Sequence, residues 1–236
     1  MEAMKKYIAA ALLALSTIMA ANAQISIAYS VGYGDYRMDD MQHLLDISLS
    51  SLKPHLPLGV RITDRFPGYI THNIDAAYRL KRHEIGLKGT YMTTGGKIAY
   101  SDYSGRYYEK LTLNGFRLGM MYRFHFVKTQ IGNLPLSFYG EISPAVTFTD
   151  LAYKTLLELP DYDVHETNPN DNVSTKETGF SIQPLIAAQL LLTRNFFISC
   201  SGGYDFEFGA KLSTTNNMLR VDWSGFRGNL GAGFVF

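Results

Sequence analysis

From Phe196 to Ala210 the chain reads FFISCSGGYDFEFGA, and apolar residues return at every second position. One face carries Phe196, Ile198, Cys200, Gly202, Tyr204, Phe206 and Phe208; the other carries Phe197, Ser199, Ser201, Gly203, Asp205, Glu207 and Gly209. Phe116 to Phe126 repeats the pattern, with Phe116, Leu118, Met120, Tyr122, Phe124 and Phe126 facing away from Arg117, Gly119, Met121, Arg123 and His125. Side chains of a strand alternate between its two faces, so a period of two predicts strands. Eight are predicted, over 25–36, 68–80, 83–95, 106–126, 134–152, 179–192, 196–210 and 219–236. The connections after strands two, four and six are short, and those after one, three, five and seven are longer. The first long connection contains DDMQHLLDISLSSL, Asp39 to Leu52, where Met41, Leu44, Leu45, Leu49 and Leu52 recur at helical spacing. Asp39 or Asp40 is placed to cap this helix, and Pro54 follows its end.

The first residues break the pattern. Lys5 and Lys6 precede an apolar run, Tyr7 to Leu15, that is too short to span a bilayer. Ala21-Asn22-Ala23 then supplies a small-x-small cleavage site. Residues 1–23 are expected to be a cleaved signal peptide, leaving 24–236 as one domain. Removing Glu2, Lys5 and Lys6 from the 22 basic and 21 acidic residues leaves the two signs equal. Neither nucleic acid nor a polybasic membrane patch is indicated. The single cysteine, Cys200, excludes an intrachain disulfide. No mature segment is apolar for long enough to be a transmembrane helix.

An even number of antiparallel strands, joined by short turns at one end and long loops at the other, suits a barrel. Side-chain volume decides which face is inside. A soluble barrel would have to fit eight rows of Phe, Tyr, Leu and Ile into a narrow lumen. The opposite faces are instead rich in Gly, Ser and Ala, so the apolar face is expected to meet lipid. With its signal peptide, its alternating strands and its last strand NLGAGFVF, the chain resembles the small eight-stranded outer-membrane proteins of the OmpA/OmpX-like class. That resemblance implies an all-β, eight-stranded antiparallel transmembrane barrel in the outer membrane of a Gram-negative-type envelope. Both termini would be periplasmic, and outer-membrane lipids would surround the barrel. It also implies that Phe236 and Phe234 act as an assembly signal read by the barrel-assembly machinery. The implied fold does not name a function.

The lumen of such a barrel must hold its charges in pairs, because an unpaired buried charge is very costly. A two-residue turn at Lys81-Arg82 sets Arg79 opposite Glu84 and Asp75 opposite Lys88. Arg117, Arg123, Glu141, Asp205, Glu207 and Arg227 also fall on the inward parity. Asp205, Glu207 and Glu141 are the expected partners of Arg117 and Arg227. The balance predicts a plug rather than a wide pore. Parity also changes at Asn114-Gly115 and Ser224-Gly225, which predicts a glycine bulge at each. Pro144 and Pro184 fall inside predicted strands, requiring either bulges or different strand ends.

The loops supply the remaining candidates. The helix either lies on the membrane or caps the barrel mouth, or it packs only on its own loop. Tyr100, Tyr103, Tyr107 and Tyr108 are candidates for surface recognition of an envelope or host ligand, or for an interfacial aromatic girdle. Asp161, Asp163 and His165 alternate on an acidic loop that is either a cation site or a solvated segment. The sequence Asn172-Val173-Ser174 is read as an accidental glycosylation match. No cofactor is implied. His72, on the lipid face by parity, is the one histidine placed for lipid modification, but no H-x-S spacing accompanies it. A structural or surface-interaction role is expected, ahead of a narrow transporter and of a lipid-modifying enzyme.

Overall fold

In the computed structural model, the structure describes residues 24–54, 59–101, 103, 105–159, 164–167, 174–208, 211–213 and 218–236. The expected signal peptide, Asp161, Asp163, and Asn172 and Val173 of the glycosylation match lie outside these residues, as does the side chain of His165.

Eight long strands form the wall: β1 (Gln24–Gly34), β3 (Tyr69–Leu80), β4 (His83–Ser101), β5 (Arg106–Ile131), β6 (Leu134–Leu159), β8 (Ser174–Leu191), β9 (Phe196–Phe208) and β12 (Gly225–Val235). Between β1 and β3 lie helix α1 (Asp39–Leu52) and the short β2 (Arg61–Arg65). A short β7 (Val164–Thr167) follows β6, and β10 (Lys211–Ser213) pairs with β11 (Met218–Arg220) beyond β9. Each wall strand is antiparallel to the next, and β12 pairs with β1 to close the ring. One row of partners can be followed around the whole wall: Gln24, Arg79, Glu84, Arg123, Glu141, Leu185, Gly203, Arg227 and Gly34. The row begins at Gln24 and returns to β1 at Gly34. The strands are therefore staggered, as a tilted closed barrel requires.

The outward face is apolar. Ile25, Ile27 and Val31 of β1, Leu118 and Met120 of β5, and Leu230 and Phe234 of β12 are all exposed. Such a continuous belt is far larger than a water-soluble monomer tolerates. Toward the loops it ends in Tyr33, Tyr69, Tyr91, Phe116 and Phe148; toward the turns it ends in Phe124, Phe126 and Phe236. These are the two aromatic girdles of a membrane barrel.

Several expectations need correction. Strands β4 and β6 run on past residues 95 and 152 because their hairpins stay paired beyond the belt on the loop side, as far as Ser101 opposite Arg106. At the turn end β5 runs on past 126, as far as Ile131 opposite Leu134. Near the turns β5 and β6 shift register between His125 and Val127, and Gly132 turns the chain at φ +61°. Neither proline bulges its strand. Pairing resumes in the same register on both sides of Pro144 and of Pro184. The hydroxyl of Ser143 donates to the Met120 carbonyl at 3.0 Å, supplying a donor where Pro144 has none. No bulge occurs at Gly115 either, since Asn114, Gly115 and Phe116 step evenly along both neighbouring strands. Leu111 and Leu113 share the inward face with Arg117 and are buried. At Ser224-Gly225 the wall strand simply begins; Val221 to Ser224 are not strand but a buried segment inside the mouth.

Candidate functional site

The inward face changes character along the barrel. Its turn-side half is charged. Arg79, Glu84, Arg123 and Glu141 are successive partners across β3, β4, β5 and β6, so their signs alternate around the wall. Arg123 donates to Glu141 at 2.6 Å and to Asp75 at 2.8 Å, and reaches Glu84 at 3.5 Å. Lys88 donates to Glu141 and to the Gln183 side-chain oxygen, each at 2.8 Å. Arg79 bonds Glu84 at 3.1 Å and Gln189 at 2.8 Å. The Ser26 hydroxyl donates to Glu84 at 2.6 Å, and His125 Nε2 lies 3.0 Å from the same carboxylate. Asp75 and Lys88 face one another in register, as the hairpin predicts, yet they make no ion pair; each reaches across the lumen instead. Among Asp75, Lys88, Arg123, Tyr139 and Asn229 there remains a cavity of ≈ 20 Å³, room for about one water.

A second group lies nearer the loops. Arg117, fully buried, donates to the Ser181 hydroxyl at 2.7 Å and to the Ser143 carbonyl, and sits 3.6 Å from Asp205. Arg227 lies 3.8 Å from the same carboxylate. It also donates to the carbonyls of Asp35 at 2.5 Å, Phe226 at 3.1 Å and Trp223, and its guanidinium stands 4.9 Å from the Tyr36 ring centre. Arg227 thus holds the irregular backbone of the mouth at Asp35 and Trp223, whose carbonyls lie outside the wall strands. Glu207 accepts from the Thr147 hydroxyl at 3.0 Å. Of the three carboxylates expected to serve Arg117 and Arg227, only Asp205 lies within ion-pair distance of them; Glu141 is taken by Lys88 and Arg123.

Above this the lumen is apolar. Met38, Met41 and Leu45 from α1 and the residue before it pack with Phe66, Met92, Ile98, Leu111, Leu113, Val221 and Trp223. The helix therefore caps the mouth. Met38, not an aspartate, precedes its first turn, and neither Asp39 nor Asp40 caps it by side chain. Asp40 instead accepts from the Arg220 backbone N–H at 2.9 Å. Trp223 is fully buried, with its indole N–H donated to Thr149 at 2.9 Å. Gly115 makes room for it: a Cβ there would lie 3.0 Å from the indole. Outside the wall, Arg65 bonds Asp46 of α1 at 2.8 Å, holding its carboxyl below the usual carboxylate range.

The four candidate tyrosines do not form one patch. Tyr103 is 97% exposed at the tip of the β4–β5 hairpin. Tyr100 packs on the mouth core, Tyr107 donates to Glu109 at 2.6 Å, and Tyr108 lies under Lys97. All four stand beyond the girdle, which other residues supply. His72 does face outward, but its Nδ1 lies 2.7 Å from the Tyr29 hydroxyl. Cys200 is exposed on the same outward face of the wall. Phe234 and Phe236 are exposed near the turns, with Phe234 stacked obliquely on Phe196. The sequence reading missed Ser26, Tyr139, Gln189, Asn73 and Asn229 as lumen partners. Their inward parity was the available signal, but neutral side chains carry no sign to match.

A closed ring, an apolar exterior and a charged interior leave one architecture. This is an eight-stranded, membrane-spanning β-barrel. Its fold is similar to Ail, the attachment invasion locus protein of Yersinia pestis, solved with the heparin analogue sucrose octasulfate (14% identity, TM-score 0.42, 91% of this chain and 99% of that one). It is also similar to OprG from Pseudomonas aeruginosa (9% identity, TM-score 0.48, 92% and 96%) and to the N-terminal β-barrel domain of Pseudomonas aeruginosa OprF (14% identity, TM-score 0.39, 90% and 97%). No protein-family model and no curated protein sequence matches the chain.

Proposed function

We propose that this barrel is closed to solutes and that its work is done at the envelope surface, by the loop end and the membrane-facing wall. One observation carries the reading. The lumen is crossed by ion pairs at one level and stoppered by α1 and Trp223 at the next. Buried pairs of this kind hold their geometry because breaking one strands its partner. In this reading residues 1–23 direct export, Phe234 and Phe236 serve assembly, and the termini face the periplasm. The loops, Tyr103 foremost, then meet an envelope or host partner.

Liposome swelling tests closure. Proteoliposomes holding the folded barrel should swell in small sugars no faster than protein-free ones; swelling at a porin's rate would favour transport. Deleting the tip around Tyr103 tests the surface role. Assembly should survive and adhesion should fall. If assembly survives and adhesion is unchanged, the hairpin tip is not the contact.

A further inference from the structure

Beyond the loop-side girdle, the outward face of β4, β5 and β6 carries charge in rows. Arg106 stands opposite Glu158, and Asp150 stands opposite Lys176, so in two rows the signs cancel. The row between them is different. Lys97, Lys110 and Lys154 are direct partners across three adjacent strands, with one carboxylate, Asp64, opposite Lys97 at the β2 end of the row. Like charges placed directly opposite one another destabilise a sheet. None of the three makes an ion pair among the described residues. Lys97 lies 5.2 Å from the Tyr108 ring centre, and Lys110 and Lys154 are exposed.

The row overlooks a groove of ≈ 270 Å³ lined by Lys97, Lys110, Thr93, Thr112 and Gly95, with Asp64 the only carboxylate lining it among the described residues. Below it lies a mainly apolar groove of ≈ 470 Å³ between Tyr91, Phe116 and Phe148, with Asp150, Lys176 and Glu177 at its edge. The two are joined by Thr93, whose hydroxyl donates to Asn114 at 3.1 Å; Asn114 lines the lower groove.

We infer that this face binds a phosphorylated glycolipid of the outer leaflet, its phosphates on the lysine row and an acyl chain in the aromatic groove. The inference rests on the membrane placement argued above. Height selects the lipid. From Phe116 to Lys110 is six residues, about 20 Å of strand, which a tilt of roughly 40° reduces to about 15 Å above the girdle. A phospholipid headgroup layer adds only about 5–8 Å. Phosphates at the level of the lysines must therefore stand on a saccharide-sized headgroup.

The test uses the folded barrel in nanodiscs of phosphatidylcholine, titrated with rough-type lipopolysaccharide bearing core phosphates. Replacing Lys97, Lys110 and Lys154 with alanine together should weaken binding about 100-fold, at the usual worth of a lysine near an anionic surface. A control replacing Lys81 and Lys128, at the turn end, should bind like the unmodified protein. The dephosphorylated lipid should bind the unmodified protein and the triple variant alike, and weakly. Undiminished binding of the phosphorylated lipid by the triple variant would overturn the site. Equal binding of the two lipids by the unmodified protein would overturn the phosphate assignment. A soluble sulfated saccharide bound as tightly as the lipid would show a free polyanion to be the ligand instead. Should the unmodified barrel fail to enter nanodiscs at all, the membrane placement itself falls. A heat-modifiable gel shift, retained in every variant, shows that each barrel has folded.

Discussion

Arg123 bonds two carboxylates and approaches a third, Glu141, Asp75 and Glu84, inside the barrel wall. Replacing it with alanine takes the ion-pair partner from Asp75 and one of two cations from Glu141 and Glu84, which keep Lys88 and Arg79, in a low-dielectric interior. Breaking a buried pair by removing one partner costs about 3–5 kcal/mol. Arg123→Ala should therefore lower the urea midpoint of unfolding in lipid vesicles by a corresponding amount. Arg79→Ala should cost less, since Arg79 keeps partial access to water. Gly115 offers a different probe. Gly115→Val must displace the indole of Trp223, the chain's single tryptophan, and should raise its accessibility to acrylamide quenching. Unchanged quenching would show that the mouth core is looser than its packing indicates. At this scale the sequence was legible in part. Parity identified the inward charges, and the hairpin register set Asp75 opposite Lys88. The Arg79–Glu84 pair was legible from that register, but the partners of Asp75 and Lys88 were not, because long side chains in a narrow barrel cross to non-adjacent strands: Lys88 on β4 reaches Glu141 on β6. Pairwise register contains no information about that crossing.

Helix α1 is the element that turns an open mouth into a stoppered one. It docks through Met41 and Leu45, and its outer side is tied to β2 by the exposed pair of Asp46 with Arg65. Leu45→Ala removes a buried side chain, at a cost of about 2–5 kcal/mol. It should undock the helix while leaving the wall folded, seen as increased Trp223 quenching with an unchanged heat-modifiable shift. The Asp46 pair gives the docking a pH dependence of definite sign. Its carboxyl is held below its ordinary 3.8 by the Arg65 hydrogen bond. The contribution is thus fully present above about pH 4 and is lost as pH falls through the lowered value. Quenching of Trp223 should rise in that acid range, and the part owed to this link should vanish in Asp46→Asn. If Asp46→Asn and the unmodified protein give superimposable acid profiles, the link does not hold the helix. The helix itself was legible from its apolar spacing. Its destination was not, since an amphipathic face fits a membrane and a barrel mouth equally well.

For the whole molecule, the alternation that revealed eight strands also misled near the loops. Reading every apolar face as lipid-facing turned Leu111, Leu113, Val221 and Trp223 into phase breaks. They are in fact the apolar inner lining of the mouth, above a charged inner lining. A barrel with two kinds of interior cannot be read from parity and polarity alone; it needs the helix and the buried 221–224 segment placed inside it. Together these two levels make the central claim, a lumen closed twice over. Planar-bilayer recording tests it most directly, using protein whose folding is verified by heat-modifiable migration and whose insertion is verified by protease protection. The closed lumen predicts no unitary conductance above the membrane background. Reproducible, porin-sized steps from the unmodified protein would contradict it.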